Sequence, residues 1–229
     1  MKNFARLFLI ALLMTSSAAK SESPISVNLK AGPTFPVGEY GAGPENAEAG
    51  LAVTGASFSL GMGYDLNSNY RLTLDFQYRT NPTDEQAIKD WAQSQYPTIN
   101  WNIHTGAYKM EGVVVGFSSY FPERTKLILG MKVGIGVFNF SSPEFDISAS
   151  SGEINSAMSQ GSDKSVSGAF SLEAEVGYRF NKQHSISITP EYFVANPEFQ
   201  SEDPITGENS SYNQSITTFG LNLLYAYHF

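Results

Sequence analysis

The chain has 229 residues, no cysteine, 14 Lys and Arg against 22 Asp and Glu, and a formal charge of -8. An acidic chain without clustered bases is a poor partner for nucleic acid, whose phosphates are bound through Lys and Arg. Without cysteine it has no disulfide, and it lacks the residue at which a lipoprotein is acylated.

Residues 1–19 read as a cleavable export signal. Lys2 and Arg6 supply the positive region, Leu7 to Met14 the apolar run, and Ser17-Ala18-Ala19 the small-residue cleavage site. The apolar run is less than half the roughly 20 residues that a spanning helix needs, and no later segment approaches that length. A membrane crossing by this chain therefore uses strands, and residues 20–229 are read as one domain.

From Ile25 onward apolar and polar residues alternate in runs bounded by turn formers, the period-2 signal of strands with two different faces. The first strand carries Val27, Leu29, Ala31 and Phe35 on its apolar face, and the second carries Ala56, Phe58, Leu60, Met62 and Tyr64. The third is the clearest: Tyr70, Leu72, Leu74, Phe76 and Tyr78 point one way, Arg71, Thr73, Asp75, Gln77 and Arg79 the other. Val113 to Phe121, Leu127 to Val137, Phe170 to Phe180, Ile186 to Val194 and Phe219 to Phe229 complete eight strands. Their connections alternate too. Residues 67–69, 122–125 and 181–183 are tight turns, whereas 39–53, 80–107, 142–163 and 196–214 are long loops. Short turns on one side and long loops on the other are the asymmetry of an antiparallel up-and-down transmembrane β-barrel.

A soluble ligand-binding barrel also alternates, with its apolar face turned inward. Glycine decides between the two. Gly32, Gly61, Gly63, Gly116, Gly130, Gly134 and Gly177 all fall on the polar face, where a solvent surface has no use for them and a narrow lumen does. Aromatic residues gather at both ends of the apolar face: Tyr64, Tyr70, Phe121, Tyr178, Phe180, Tyr227 and Phe229 on the turn side, Phe35, Tyr78, Tyr192 and Phe219 toward the loops. Those positions match two interfacial girdles.

Residues 25–229 resemble the outer-membrane protein β-barrel domain family, the OmpA/OmpX-like set of small eight-stranded barrels. The resemblance rests on Ala31-Gly32-Pro33, Pro36-Val37-Gly38 and the end Leu221 to Phe229. It implies a Gram-negative outer membrane, with lipid and lipopolysaccharide as surroundings; the barrel is expected to be a monomer. It also implies that Tyr225, Tyr227 and Phe229 serve as the signal read by the barrel-assembly machinery; completing the girdle is a compatible role for Phe229.

On the polar face Lys30, Arg71, Arg79, Lys132 and Arg179 stand against Asp65, Asp75, Glu173, Glu175 and Glu191. Five charges against five predict an ion network filling the lumen, the alternative being a path for ions or small solutes. Lys132, with Gly130 and Gly134 leaving room for its stem, is expected to pair with Glu173 and Glu175. His104, His184 and His228 lie far apart in sequence and are not expected to converge, no Gly-x-Ser-x-Gly elbow or Cys/His metal cluster is present, and no cofactor is implied. The loops hold fourteen acids against the single base Lys89, either as a solvated surface or as oxygen ligands for divalent cations bridging to lipopolysaccharide phosphates. In the second loop Thr83 and Gln86 suggest a capping box ahead of the apolar stripe Ala87, Ile88, Trp91, Ala92. Trp91 and Trp101 make that loop either a lid over the mouth or an exposed contact surface for an extracellular ligand. The expected role is thus structural or adhesive rather than enzymatic, with a small-solute pore as the alternative.

Overall fold

In the computed structural model, residues 24–46, 49–121, 126–151, 154–202 and 209–229 are described. The export signal and the turn at 122–125 lie outside them. Thirteen strands are numbered in chain order, and eight of them close a barrel: β1 (Ile25–Pro36), β2 (Gly55–Asp65), β3 (Tyr70–Pro82), β5 (Ala107–Tyr120), β6 (Leu127–Ser141), β9 (Lys164–Arg179), β10 (His184–Ala195) and β13 (Ile216–His228). Around the barrel the order is β1-β13-β10-β9-β6-β5-β3-β2, antiparallel at every seam. Every seam but β1–β13 joins barrel strands that are consecutive in the chain, which makes the barrel up-and-down.

Two tight turns share one device. Asn67 Oδ1 accepts from the backbone N–H of Asn69 and Tyr70 at 2.8 and 3.1 Å, and Asn181 Oδ1 accepts from those of Gln183 and His184 at 2.8 and 2.9 Å. An asparagine carboxamide in place of a backbone acceptor is what permits a reversal this short.

Through most of the wall the barrel is inside-out relative to a soluble protein. Ile135 is 67% exposed and Phe76 61%, while Asp75, Gln77, Arg79 and Glu173 are buried inside. Toward the long-loop end the polarity reverses. The outward row Phe76, Val113, Val137 is followed by the outward row Tyr78, Glu111, Asn139, and inward positions change from charged residues to Tyr108, Met110, Phe138, Phe140, Phe193 and Ile216. On β5 and β6 a wall that is greasy outside up to one level and polar outside beyond it marks where lipid ends, although the same row continues on β9 as exposed Val166.

The long loops are more ordered than their sequence suggests. The second and third contain β4 (Asn100–Thr105), β7 (Phe145–Ser151) and β8 (Ile154–Gln160), which pair as a separate three-stranded sheet in the order β4-β7-β8, and the fourth contains the hairpin β11 (Glu198–Glu202) and β12 (Asn209–Asn213). Reading these stretches as unpaired loops is therefore corrected: Trp101 and Ile103 alternate with Asn100, Asn102 and His104, a strand pattern in miniature. The expected helix is present as α1 (Glu85–Gln95), but its cap is Asp84, whose Oδ1 accepts from Ala87 N at 2.9 Å. Thr83 instead donates its hydroxyl to Gly106 O, and Gln86 reaches Asp90. Three residues after the true cap stands Ala87, which cannot return the bond, so no capping box forms.

Candidate functional site

The lumen carries the charged chemistry of the barrel, and it is layered. At the turn end Arg71, on β3, lies 2.6 Å from Asp65 and donates to the Tyr120 hydroxyl at 3.3 Å. Tyr120 donates to Glu175 at 3.2 Å, and Glu175 accepts a second bond from Ser187 at 2.7 Å. Half-buried Arg179 belongs to the same end, paired in register with Ser185.

At mid-height the groups interlock. Lys132 Nζ lies 2.7 Å from Asp75 Oδ2 and 2.9 Å from Glu173 Oε1, and Lys30 Nζ lies 2.9 Å from Glu173 Oε2 and 3.5 Å from Glu191. Arg79, only 1% exposed, pairs with Glu191 and donates to Gln77 at 3.0 Å. Asn222 adds a bond to Glu191 at 3.1 Å. Three bases and three acids thus neutralise one another where an isolated charge would cost several kcal/mol. The partner expected for Lys132 is corrected in part: Glu173 is there, but the second carboxylate is Asp75 and not Glu175. Registers explain it, since Lys132 faces Glu173 on β9 and Ser118 on β5, and Asp75 sits one strand beyond on β3.

The glycines that admit these side chains also differ from the expectation. A Cβ at Gly116 would sit 2.6 Å from the Lys132 stem, and one at Gly61 would collide with the Asp75 carboxylate. Gly130 and Gly134 instead make way for Tyr120 and for Ser171 and Val114. The room for a long side chain comes from the neighbouring strand, because the stem leans across the barrel rather than along its own strand.

Beneath and among these groups lies a cavity of ≈ 40 Å³ lined by Asn28, Ser59, Thr73, Ser118 and the charged residues. That is room for a few waters, at roughly 10–15 Å³ each.

Above the charges the mouth is stoppered by hydrocarbon. Phe138 meets Phe193 edge-on at 5.2 Å and Phe140 at 6.0 Å, and Tyr40, from the 3-10 turn Gly38–Gly41, meets Tyr108 at 5.1 Å. Met110, Phe199 and Ile216 complete the cluster. Burial pushes the Tyr40 phenol well above its ordinary value. The guanidinium of Arg79 lies 4.1 Å over the Phe193 ring and joins the two layers. Sequence reasoning missed this stopper. Its signal is the switch of parity between Met110 and Val113 and between Val137 and Phe138.

The tryptophans do not take part. Trp91 is 42% exposed on α1, and Trp101 on β4 is half-buried beside Tyr96 at 6.2 Å. The stopper is built without either tryptophan. At the other end Tyr227 and Phe229 pack edge-on at 5.0 Å, the Phe229 N–H donates to Ile25 O at 3.1 Å, and Tyr225 Oη lies 2.6 Å from His184 Nδ1. His184 and His228 are neighbours at the β10–β13 seam but lie on opposite faces of it: the register opposes His184 to Tyr227 outside, whereas His228, on the other parity, has its Nε2 3.4 Å from the Oγ of buried Ser185. The third, His104, lies 3.2 Å from Glu85 among the long loops. Among the described residues no group of three or more His, Asp or Glu is placed to hold a metal ion.

No family model matches the chain, and no curated protein does. Solved structures match nearly its full length. A major outer membrane protein from Thermus thermophilus is 12% identical over 90% of this chain and 99% of its own, with a TM-score of 0.50. Neisserial surface protein A is 11% identical over 92% and 100%, at 0.46. The outer membrane protein OprG of Pseudomonas aeruginosa is 10% identical over 91% and 99%, at 0.47. The architecture is that of the small eight-stranded outer-membrane barrels.

Proposed function

We propose that the protein is a non-conducting, non-enzymatic barrel of the Gram-negative outer membrane, exported by a cleavable signal, which works through the hairpins it holds outside. The observation that carries this reading is the double closure of the lumen. A solute entering from the turn side meets the Lys132, Glu173, Lys30, Glu191 network and then the Phe138, Phe193, Tyr40 stopper. Beyond them stands an ordered and acidic outer layer, the part of the chain free to meet an extracellular ligand. Catalysis has little support at the turn end: the Ser185–His228 contact of 3.4 Å is long for proton transfer, and Ser185 is buried.

Planar bilayers test the closure. Purified protein is expected to give no sustained current, and channels of one fixed unit conductance would replace this reading with a small-solute pore. Tyr225, Tyr227 and Phe229 are proposed to direct assembly as a monomer through the barrel-assembly machinery. Deleting Phe229 should leave export and signal cleavage intact while folded protein in the outer membrane falls; undiminished folded protein would reduce Phe229 to a girdle residue.

A further inference from the structure

Inside the barrel Lys30, Arg71, Arg79 and Lys132 each stand against a carboxylate, yet two bases on the outer wall do not. Lys109 on β5 and Lys164 on β9 both face outward and are exposed, and no carboxylate among the described residues lies within 4 Å of either. Registers place them in one row: Thr80 opposes Lys109, Lys109 opposes Ser141, and Ser141 opposes Lys164. With only β6 between them, their backbones stand about 10 Å apart, two strand spacings. The row lies one step beyond Tyr78, Glu111, Asn139 and two beyond the last greasy row, Phe76, Val113, Val137. Glu111 is the acid nearest along the same face, two residues toward the membrane from Lys109. Lysine stems of this kind lie along apolar surface and deliver the ammonium to the headgroup level. The remaining described base of the outer side, Lys89, is on α1 and not on a barrel strand.

We propose that Lys109 and Lys164, with the hydroxyls of Thr80 and Ser141 between them, form a clamp on the outer wall for the phosphate of an anionic membrane lipid. Neither ammonium is in an ion pair with the protein, and both face the headgroup layer, where an anionic lipid can supply the partner. The loops above are acidic, which leaves this row as the side of the outer end that attracts phosphate. The clamp needs no divalent cation, in contrast to any bridge from loop carboxylates to the same lipids. It rests on the outer-membrane placement proposed above and not on what the hairpins bind; a barrel that fails to fractionate with outer membranes would end that placement, whereas the experiment below addresses the clamp alone.

The test uses the folded protein in detergent micelles with lipid A and with dephosphorylated lipid A of the same acyl chains, reading bound lipid by mass spectrometry in the presence of EDTA. Phosphorylated lipid is expected to bind and the dephosphorylated form to bind far less. Lys109→Gln and Lys164→Gln should each weaken binding about fivefold and together roughly twenty-five-fold. Lys89→Gln should change nothing, and the doubly Arg-substituted protein should bind like the original. Equal binding of both lipids, full binding by the double Gln variant, or binding abolished by EDTA would each overturn the clamp, the last in favour of cation bridging. Should the double Gln variant fail to fold, the two-lipid comparison on the unaltered protein and the Arg variant still decide.

Discussion

The two halves of this wall solve opposite problems with the same alternating strands. In the lipid-facing part β3 puts Leu72, Leu74 and Phe76 outside and Arg71, Thr73 and Asp75 inside; a few residues further along the barrel axis β5 and β6 put Lys109, Glu111 and Asn139 outside and Met110, Phe138 and Phe140 inside. No strand slips register to achieve this. The chain changes which parity is apolar, and the continuous hydrogen-bonded ladder carries both arrangements. Solvent dictates the outside of each half, and the inside takes what remains: charges that must be paired where the wall is greasy, and ordinary hydrocarbon where it is wet.

The sharpest way to break the contrast is to remove one charge from the lower interior. Lys132→Met leaves Asp75 and one side of Glu173 unpaired, and a cost of about 3–5 kcal/mol is expected in urea unfolding from bilayers. Adding Asp75→Leu should recover part of that loss, because Glu173 keeps Lys30 at 2.9 Å, whereas adding Glu175→Leu should recover none. Additive losses in the Lys132/Asp75 cycle would show that the pair is not coupled. A gentler pair probes the outside of the two halves. Leu74→Arg, mid-wall, should cost about 2–4 kcal/mol, while Asn139→Arg beyond the greasy rows should cost about 0–1 kcal/mol. Equal costs would mean that lipid does not end where the parity changes.

How much of this was written in the sequence differs between the halves. The lower wall was legible almost residue by residue, since a period-2 pattern with glycines on the polar side fits a narrow barrel and little else. The partner of Lys132 was not legible, because pairing across a lumen depends on barrel closure: Asp75 lies two strands away from Lys132, and neither spacing nor face distinguishes it from Glu175. The stopper was missed for another reason. Apolar residues on the polar parity of Tyr108-Lys109-Met110-Glu111 and Phe138-Asn139-Phe140 look like noise at a strand end when the whole strand is assumed to sit in one solvent. The helix cap was missed by one position, since Thr83 and Asp84 both have capping side chains and only the tertiary bond from Thr83 to Gly106 O settles which is free to cap. The outer strands were hidden because stretches such as Ser-Ala-Ser-Ser and Asn-Ser-Ser-Tyr have little hydrophobic contrast, and their pairing comes from hairpin geometry that the barrel beneath them supplies.

The β1–β13 seam gives the barrel a kinetic character unlike that of its other seams. Every other pairing folds a strand back on its predecessor in the sheet, a local event whose entropy is repaid as the hairpin zips. Val27 opposite Tyr227 joins residues from the two extremes of the barrel, and that contact gains nothing until the curved sheet has brought its margins together. Until then both margins carry rows of unsatisfied N–H and C=O groups, which neither lipid nor a neighbouring nascent chain leaves alone for long. The duration of this open interval, more than the strength of any one hairpin, sets how much of the chain is lost to aggregation before it becomes a barrel.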